Sequence, residues 1–354
     1  MITSSSAPLI TKTLPQSHRG RGLSAQIVMV YFGLSAGPGM GGVLADTLGW
    51  RWVFLVNVPL GLLAAAVTLA AVPKDETTAA KQPFDLAGAL TFMVALTSLF
   101  FLMGSGKGRQ WLPGGNVILL AVFLFSAGAF VALELRRLEP MLDLRLFKNR
   151  FFSAATTSAM INYVGYSTLA FMVPFYLADG IGYGATSAGL LIMTMPVGMM
   201  IFAPFSGWLA DKVGPRLPAS LGMALLAGGI FLVSRLGASP SQIEIVSRLM
   251  LAGVGLGLFS SANNSAIMGE VPMDRQGVAN GVVSTARQLG MMLGVAATTA
   301  IFKARYPLYA TLGEARATMA AVEDALLVVS GIIILGALTS LVRGREEAQS
   351  EAAV

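Results

Sequence analysis

Residues 33–42 read GLSAGPGMGG, in which Gly33, Gly37 and Gly41 recur at intervals of four residues. On a helix this spacing places the three glycines on one face, where the lack of side chains lets a second helix backbone approach closely. Pro38 removes one helix hydrogen bond and favours a bend, and Gly42 adds another small residue beside the stripe. The stretch predicts a close helix contact that can also pivot, with simple helix packing as the alternative.

The chain around this stretch is strongly apolar. Hydrophobic residues make up 55% of the 354 residues and charged residues 12%, and the mean hydropathy is +0.71, which is far above that of an ordinary soluble domain. The apolar residues form blocks of about 20, the length at which a helix crosses a bilayer. The sequence therefore predicts an all-α membrane protein. Ten spans are expected, at residues 22–45, 52–72, 86–104, 116–134, 152–178, 185–209, 217–236, 244–268, 278–302 and 322–342.

Several classes of function lack the residues that they need. The chain has no cysteine and one histidine, His18, so neither a disulfide nor a His/Cys metal site is expected. The sequence contains no GxxxxGK(S/T), HExxH or GxSxG motif and no paired carboxylates within a span, which argues against an ATPase or a membrane enzyme. The net charge of +6 comes without a basic run interleaved with aromatics, so nucleic acid is not an expected partner. Residues 1–20 do not resemble a removable signal peptide.

The positive charges predict the orientation in the bilayer. Fifteen lysines and arginines lie in loops on the side of the first loop and eight on the opposite side, with Arg287 inside a span. Because positive loops stay in the cytoplasm, both termini are expected there.

Two further motifs lie at span ends. GWRWVFLVNVPLG, residues 49–61, combines an interfacial anchor at Trp50, Arg51 and Trp52 with a bend near Pro59. GWLADKVGPR, residues 207–216, has glycines that permit a tight turn between charged residues, which predicts a latching loop at the cytoplasmic gate, with a solvated turn as the alternative. The residues of this loop motif are Gly207, Asp211, Lys212, Gly214 and Arg216.

Together these motifs resemble those of the major facilitator superfamily, specifically its 14-helix drug:proton antiporters of the EmrB/QacA type. The glycine stretch resembles their antiporter motif, with Gly33, Gly37, Pro38, Gly41 and Gly42 as its residues. Residues 49–61 resemble their junction of helices five and six, and residues 207–216 the C-terminal copy of their GxxxD(R/K)xGxR loop. ELRRLEPMLDLRLFKNRFF (134–152) and STARQLGMMLGVA (284–296) are typical of the same exporters. The resemblance implies a major facilitator helical bundle.

The resemblance also implies a division of the chain. Residues 9–22 are similar to the family loop between helices four and five, so the chain is expected to be truncated before the fifth helix. Residues 1–72 would be a remnant of the N-terminal bundle, 73–150 an extra central helix pair with cytoplasmic linkers, 151–342 the C-terminal six-helix bundle and 343–354 a cytoplasmic tail.

Proton-coupled exchange needs a carboxylate in the membrane that binds and releases a proton. The acids nearest to the spans lie at span ends, where a solvated role is expected, so the coupling acid is expected in the missing helices. These acids are Asp46, Glu134, Asp179, Glu244 and Glu270.

Polar residues inside the spans are the candidates for a substrate cavity. For the asparagines the alternative is a hydrogen bond between helices, and for Arg287 it is snorkelling towards the cytoplasm. The candidates are Asn162, Tyr163, Tyr166, Asn263, Asn264, Arg287 and Gln288.

The expected function is secondary active efflux of amphipathic drugs, cationic or neutral, across the bacterial inner membrane. The expected driving force is the proton gradient, without a cofactor. The expected partners are the small-molecule substrate, the lipid bilayer and a periplasmic adaptor protein. The alternative is a non-transporting remnant or an incomplete gene product of such an exporter.

The orientation can be tested by cysteine labelling, since the chain has no native cysteine. In intact cells, a membrane-impermeant maleimide is expected to label Gly114→Cys but to spare Ser350→Cys until the membrane is opened, because both termini are expected inside. External labelling at residue 350 would contradict the predicted orientation.

Overall fold

Helices account for nearly all of the chain that the structure describes, which is residues 16–71, 85–104, 115–137, 142, 144–271 and 276–341 of a computed structural model. No β-strand occurs in these ranges. The α-helices are α1 (Gln16–Thr47), α2 (Trp50–Leu55), α3 (Asn57–Ala71), α4 (Leu86–Gly104), α5 (Gly115–Arg136), α6 (Arg150–Phe175), α7 (Ala185–Ile192), α8 (Thr194–Val213), α9 (Arg216–Val233), α10 (Gln242–Glu270), α11 (Gln276–Arg305) and α12 (Glu314–Leu341). Shorter 3₁₀ or π turns occupy Leu144–Lys148, Tyr176–Ile181 and Tyr306–Leu312.

Among the described residues, 8 segments are long and apolar enough to cross a membrane. They are Val28–Thr47, Trp50–Ala71, Asn116–Arg136, Arg150–Ile181, Ala185–Val213, Arg216–Val233, Gln242–Glu270 and Glu314–Ala337. They coincide with eight of the ten predicted spans. The apolar segment Leu86–Leu102 is shorter. Helix α11 is continuous and long enough, but it carries the polar residues Arg287 and Gln288 and is not among the eight segments. For these two segments, crossing of the membrane stays a prediction.

Within the bundle of α6–α12, helix α10 packs closely against both α8 and α9. Gly253 and Gly255 lie two residues apart, on opposite faces of the helix. A Cβ atom on Gly253 would overlap the backbone of Met195 in α8, and one on Gly255 would overlap the backbone at Leu226 in α9. Because neither position has room for a side chain, α8 and α9 both pack directly on the backbone of α10.

Helix α6 packs against α11 and α12 in a similar manner. Gly290 of α11 lies against the backbone of Met160, and Gly336 of α12 lies against the side chain of Ile161. The Thr168 and Thr298 hydroxyls share a hydrogen bond of 2.9 Å between α6 and α11. This bond satisfies two buried hydroxyl groups that would otherwise be costly in an apolar core.

Helices α2 and α3 lie outside this bundle. Neither helix has a buried residue, and the helix breaks at Val56, close to the predicted bend at Pro59. Trp50 and Trp52 are exposed, and the Arg51 guanidinium carbon lies 4.8 Å from the centroid of the Trp50 ring. This geometry agrees with the predicted interfacial anchor.

Helices α4 and α5 form a hairpin with two buried acids near one end. Asp85 and Glu134 are only 6% and 1% exposed, and both carboxylates lie near the Cα atom of Gly88. Arg137 NH1 forms a 2.8 Å ion pair with Asp85, and the Leu142 amide donates to Glu134 over 3.2 Å. The expectation that Glu134 is solvated is therefore wrong, because its side chain lies beside Gly88 and accepts a hydrogen bond from the Leu142 amide.

The remaining acids at span ends are exposed, as expected: Asp46, Asp179, Glu244 and Glu270. The predicted division into four regions stays a prediction. Its boundary at residue 72, its C-terminal tail and half of the loop at residues 9–22 lie outside the described residues.

Candidate functional site

The glycine stretch of α1 packs through a different face from the one that the sequence predicts. Gly33 and Gly37 have no atom within 4 Å of a Cβ position, and Gly41 approaches only a side chain of α2. The buried face of α1 instead carries Gly39 and Gly42. Within the described part of the chain the predicted contact face of Gly33, Gly37 and Gly41 meets no helix other than α2, and its role stays a prediction.

The partner of this face is α7, and the contact is reciprocal. A Cβ atom on Gly42 would overlap the carbonyl oxygen of Ala185, and one on Gly189 would overlap the carbonyl oxygen of Pro38. The sequence analysis missed Gly189, although Ala185 and Gly189 form a small-residue pair at positions i and i+4 that could have indicated it. Pro38 and Gly42 of the antiporter motif thus lie in a tight helix contact.

Asp46 adds a polar bond to the same contact. Gly184, the N-cap residue of α7, provides no side chain to bond the first backbone amides. The Thr186 amide instead donates to Asp46 Oδ2 over 2.7 Å. A carboxylate at a helix N-terminus satisfies orphan amides and interacts favourably with the helix dipole. Asp46 therefore caps α7 from α1.

The second part of the site is a polar cluster around Arg287. The Arg287 NH2 group donates to Asn264 Oδ1 over 3.3 Å, which joins α11 to α10. The guanidinium carbon lies 5.6 Å from the centroid of the Tyr163 ring on α6. Arg287 Nε is buried and has no hydrogen-bond partner among the described residues, and no described carboxylate forms an ion pair with this side chain.

Two more tyrosines complete the cluster. The Tyr163 and Tyr166 rings lie 5.8 Å apart, and Tyr31 of α1 interacts electrostatically with both tyrosines and with Arg287. All three tyrosines are partly exposed, so the cluster borders an open space. Sequence analysis missed Tyr31, although a hydroxyl group within an apolar span two residues before the glycine stretch was a signal.

The other cavity candidates lie elsewhere. Asn162 is fully buried, and its amide contacts Met223 Sδ at 3.4 Å, while Asn263 is also fully buried. Gln288 is exposed on a different face of α11 from Arg287. The structure therefore brings together Tyr163, Tyr166, Asn264 and Arg287 of the seven predicted residues and leaves out Asn162, Asn263 and Gln288.

Residues 207–213 of the loop motif form the end of α8, so Gly207 lies in a helix, and Gly214 and Pro215 form the turn to α9. Gly214 has a φ of +79°, a conformation that glycine adopts at least cost, and Gly207 lies against Ser261 of α10. The Lys212 ammonium lies 4.1 Å from the centroid of the Trp208 ring. Asp211 and Arg216 are exposed. The turn agrees with the prediction, and its role as a latch stays a prediction.

An apolar groove between α4 and α5 is a separate feature. None of the candidate site residues contributes to it. It is lined by Leu90, Thr91, Val94, Ala121, Val122, Phe125, Ser126 and Ala129.

Comparison with known families decides the class of protein. The family model described as Major Facilitator Superfamily matches residues 1–295 and 155–351, which together cover nearly the whole chain. The chain belongs to the major facilitator superfamily. The predicted superfamily is thus confirmed, whereas the 14-helix subtype and the truncation stay predictions.

Three curated relatives place this major facilitator chain among transporters. It is 31% identical to the uncharacterized transporter YebQ of Escherichia coli over 83% of this chain and 64% of the relative. It is 29% identical to the riboflavin transporter RibZ of Clostridioides difficile, over 83% and 63%. It is 28% identical to the multidrug resistance protein Stp of Mycobacterium tuberculosis, over 86% and 56%. The chain thus spans less than two thirds of the length of each of these relatives.

The fold agrees with this family. A bacterial homologue of the human lysosomal transporter Spinster, solved in an inward-facing and occupied conformation, matches with a TM-score of 0.58 at 14% identity. The match covers 96% of this chain and 72% of that protein. The major facilitator fold predicted from the motifs is therefore confirmed.

The contact between α1 and α7 yields a test with a matched control. Gly42→Leu is expected to lower the stability by about 1–3 kcal/mol, because the new side chain overlaps the Ala185 carbonyl group. Gly37→Leu adds the same side chain five residues earlier in α1, where no atom lies within 4 Å of the Cβ position. Thermal melting of the purified variants in detergent measures both. Equal melting temperatures for the two variants would contradict the assigned contact face.

Proposed function

We propose that this chain is part of a secondary transporter that exports amphipathic small molecules across the bacterial inner membrane in exchange for protons. The observation that carries the proposal is the cluster of Arg287, Asn264, Tyr163 and Tyr31, in which polar side chains from α1 and from the α6–α12 bundle meet inside the spans. Polar residues at such a place are costly unless they serve a function.

The tight contact between α1 and α7 supports a rocking mechanism. Secondary transporters expose a central site to alternate sides by moving one helical bundle against another. The contact at Gly42 and Gly189 joins α1 to the other bundle with few side chains between the backbones, and Pro38 weakens the helix at the same level. Such a contact suits a pivot, because a rotation there displaces few side chains.

The named relatives support export of several kinds of small molecule. Stp is named a multidrug resistance protein, and other matched relatives include the multidrug transporter MdtP of Bacillus subtilis and the quinolone resistance protein NorB of Staphylococcus aureus. RibZ is named a riboflavin transporter, so the substrate differs between relatives of similar identity. We therefore propose an amphipathic substrate without naming a compound.

The finer features of the proposal follow the resemblance of the motifs to 14-helix antiporters. The α4–α5 hairpin would be the central pair of these exporters, and further helices would cover α3, which has no buried residue, and the exposed glycine face of α1. Both termini would lie in the cytoplasm, and a periplasmic adaptor protein would receive the substrate. The proton would bind to a carboxylate in the covering helices, since a guanidinium stays charged at physiological pH.

The alternative to an exporter is a remnant of such a protein that does not transport. The wholly exposed surface of α3 favours this alternative, because a helix with no packed face lacks the partner that a moving bundle needs. The chain also spans less than two thirds of the relatives' length.

The two candidates are separated by an efflux test in a host that lacks its own drug exporters. The chain alone is expected to enter the membrane without giving drug resistance, whereas a version extended by the first four helices of a matching relative is expected to give resistance. Without a titrating group that binds the proton differently in two states, a gradient cannot drive exchange. Drug susceptibility and dye efflux driven by a pH gradient are the measurements.

Two outcomes would decide against the proposal as stated. Efflux by the chain alone that a protonophore abolishes would show that the coupling group lies within it, and Glu134 and Glu270 would be the first residues to replace. Absence of efflux from an extended version that reaches the membrane in normal amounts would favour the remnant.

A further inference from the structure

Arg287 lies within a predicted span, and no described carboxylate forms an ion pair with it. Ion pairs that the structure does show include Arg137 with Asp85 and Arg305 with Asp324. Arg287 lies instead about ten residues into α11, between α6 and α10. An uncompensated charge in such surroundings is strongly unfavourable and is retained where an ion or a ligand completes the site.

The hydrogen bonds of Arg287 leave one edge of its guanidinium group available. The NH2 group is held by Asn264 Oδ1 at 3.3 Å, and Nε has no partner although it is buried. A carboxylate characteristically binds a guanidinium group through two parallel N–H bonds. Asn264 thus fixes the orientation of the guanidinium group. The Nε–H group has no acceptor among the described residues, so a hydrogen-bond acceptor on a ligand would complete this edge.

Aromatic rings surround the same group. The Tyr163 ring lies 5.6 Å from the guanidinium carbon, with Tyr166 5.8 Å from Tyr163, and Tyr31 of α1 interacts electrostatically with all three side chains. The buried hydroxyl group of Ser260 on α10 interacts with Tyr31. Aromatic rings and hydroxyl donors beside a guanidinium group fit a flat molecule that carries a negative charge.

We propose that Arg287, Asn264 and the three tyrosines form a binding site for aromatic organic anions, with a carboxylate or phenolate on Arg287 and a ring among Tyr31, Tyr163 and Tyr166. This inference rests on the proposed transport function and narrows its substrate class. It replaces the expectation of cationic or neutral drugs, because a cation at this position would be repelled by Arg287, which forms no ion pair with a described carboxylate.

The site also gives substrate a way to influence the two bundles. Tyr31 belongs to α1, whereas Arg287, Asn264 and Tyr163 belong to the α6–α12 bundle. An anion that touches both sides binds best when they lie close together, and a ligand shifts an equilibrium by the difference in its affinity for two states. The bound anion thereby favours the arrangement in which α1 and α11 approach each other.

The test measures equilibrium binding of three ligands that share one ring and differ in charge: 2-naphthoate, 2-naphthamide and (2-naphthyl)methylammonium. The full chain is purified in lipid nanodiscs, with empty nanodiscs of the same lipid as the correction for partitioning. We expect 2-naphthoate to bind about tenfold or more tightly than the other two, the usual range for a charge-assisted pair over a neutral one. Equal or tighter binding of the ammonium compound would overturn the proposal.

Variants at two positions of α11 locate the site. Arg287→Gln is expected to weaken 2-naphthoate binding by about tenfold or more while leaving the amide within about twofold. Lys303→Gln removes a positive charge from an exposed position on the same helix and is expected to leave all three affinities unchanged. If Arg287→Gln does not fold, Arg287→Lys keeps the charge but loses the fork, and a loss of about threefold or more in 2-naphthoate affinity is expected. Unchanged 2-naphthoate affinity in the folded variant would overturn the proposal.

A transport experiment distinguishes a failure of this inference from a failure of the proposed function. Export of 2-naphthoate driven by a pH gradient is measured in vesicles that contain the version extended by four helices. Binding that depends on Arg287 without export would support the anion site and contradict the exporter. Export of the ammonium compound alone would support the exporter and contradict the anion site.

Discussion

Direct contact between helix backbones is the interaction on which this structure depends. In lipid, burial of apolar side chains between helices gains little, because the surrounding chains are equally apolar, so close packing and hydrogen bonds must hold the helices together. Helix α10 illustrates the consequence, since Gly253 and Gly255 face α8 and α9 on opposite sides and neither has room for a Cβ atom. At these two positions α8 and α9 therefore pack against backbone atoms of α10 and not against side chains.

The same kind of contact has a different role between α1 and α7. There the two glycines, Gly42 and Gly189, are supplemented by one polar bond, from the Thr186 amide to Asp46. Helix α1 otherwise presents exposed glycines, and α3 presents no buried residue at all. In this contact the two backbones meet with few side chains between them, which suits the pivot that we propose.

The fold class and the individual sequence motifs could be predicted from the sequence. Which faces of two helices contact each other could not. Apolar blocks of span length reveal helices in a bilayer, and the glycine stretch correctly indicated a close contact on α1. The face that meets α7 was not predicted, because both faces of α1 carry small residues and only the position of α7 selects the face of Gly39 and Gly42. Glu134 was misjudged because residues that contact it, Gly88 and Leu142, are not its neighbours in the sequence.

The polar cluster around Arg287 shows a further limit of prediction from the sequence, and it also constrains the transport mechanism that we propose. Tyr31 and Arg287 lie more than 250 residues apart, so no local pattern joins them, although each was unusual within its own span. A guanidinium group binds anions but does not release its proton at physiological pH, so the site that we propose for substrate cannot also carry the exchanged proton. Substrate and proton must therefore act on different groups, and only a movement that both of them bias can couple their binding. The contact between α1 and α7 joins the helix that carries Tyr31 to the bundle that carries Arg287.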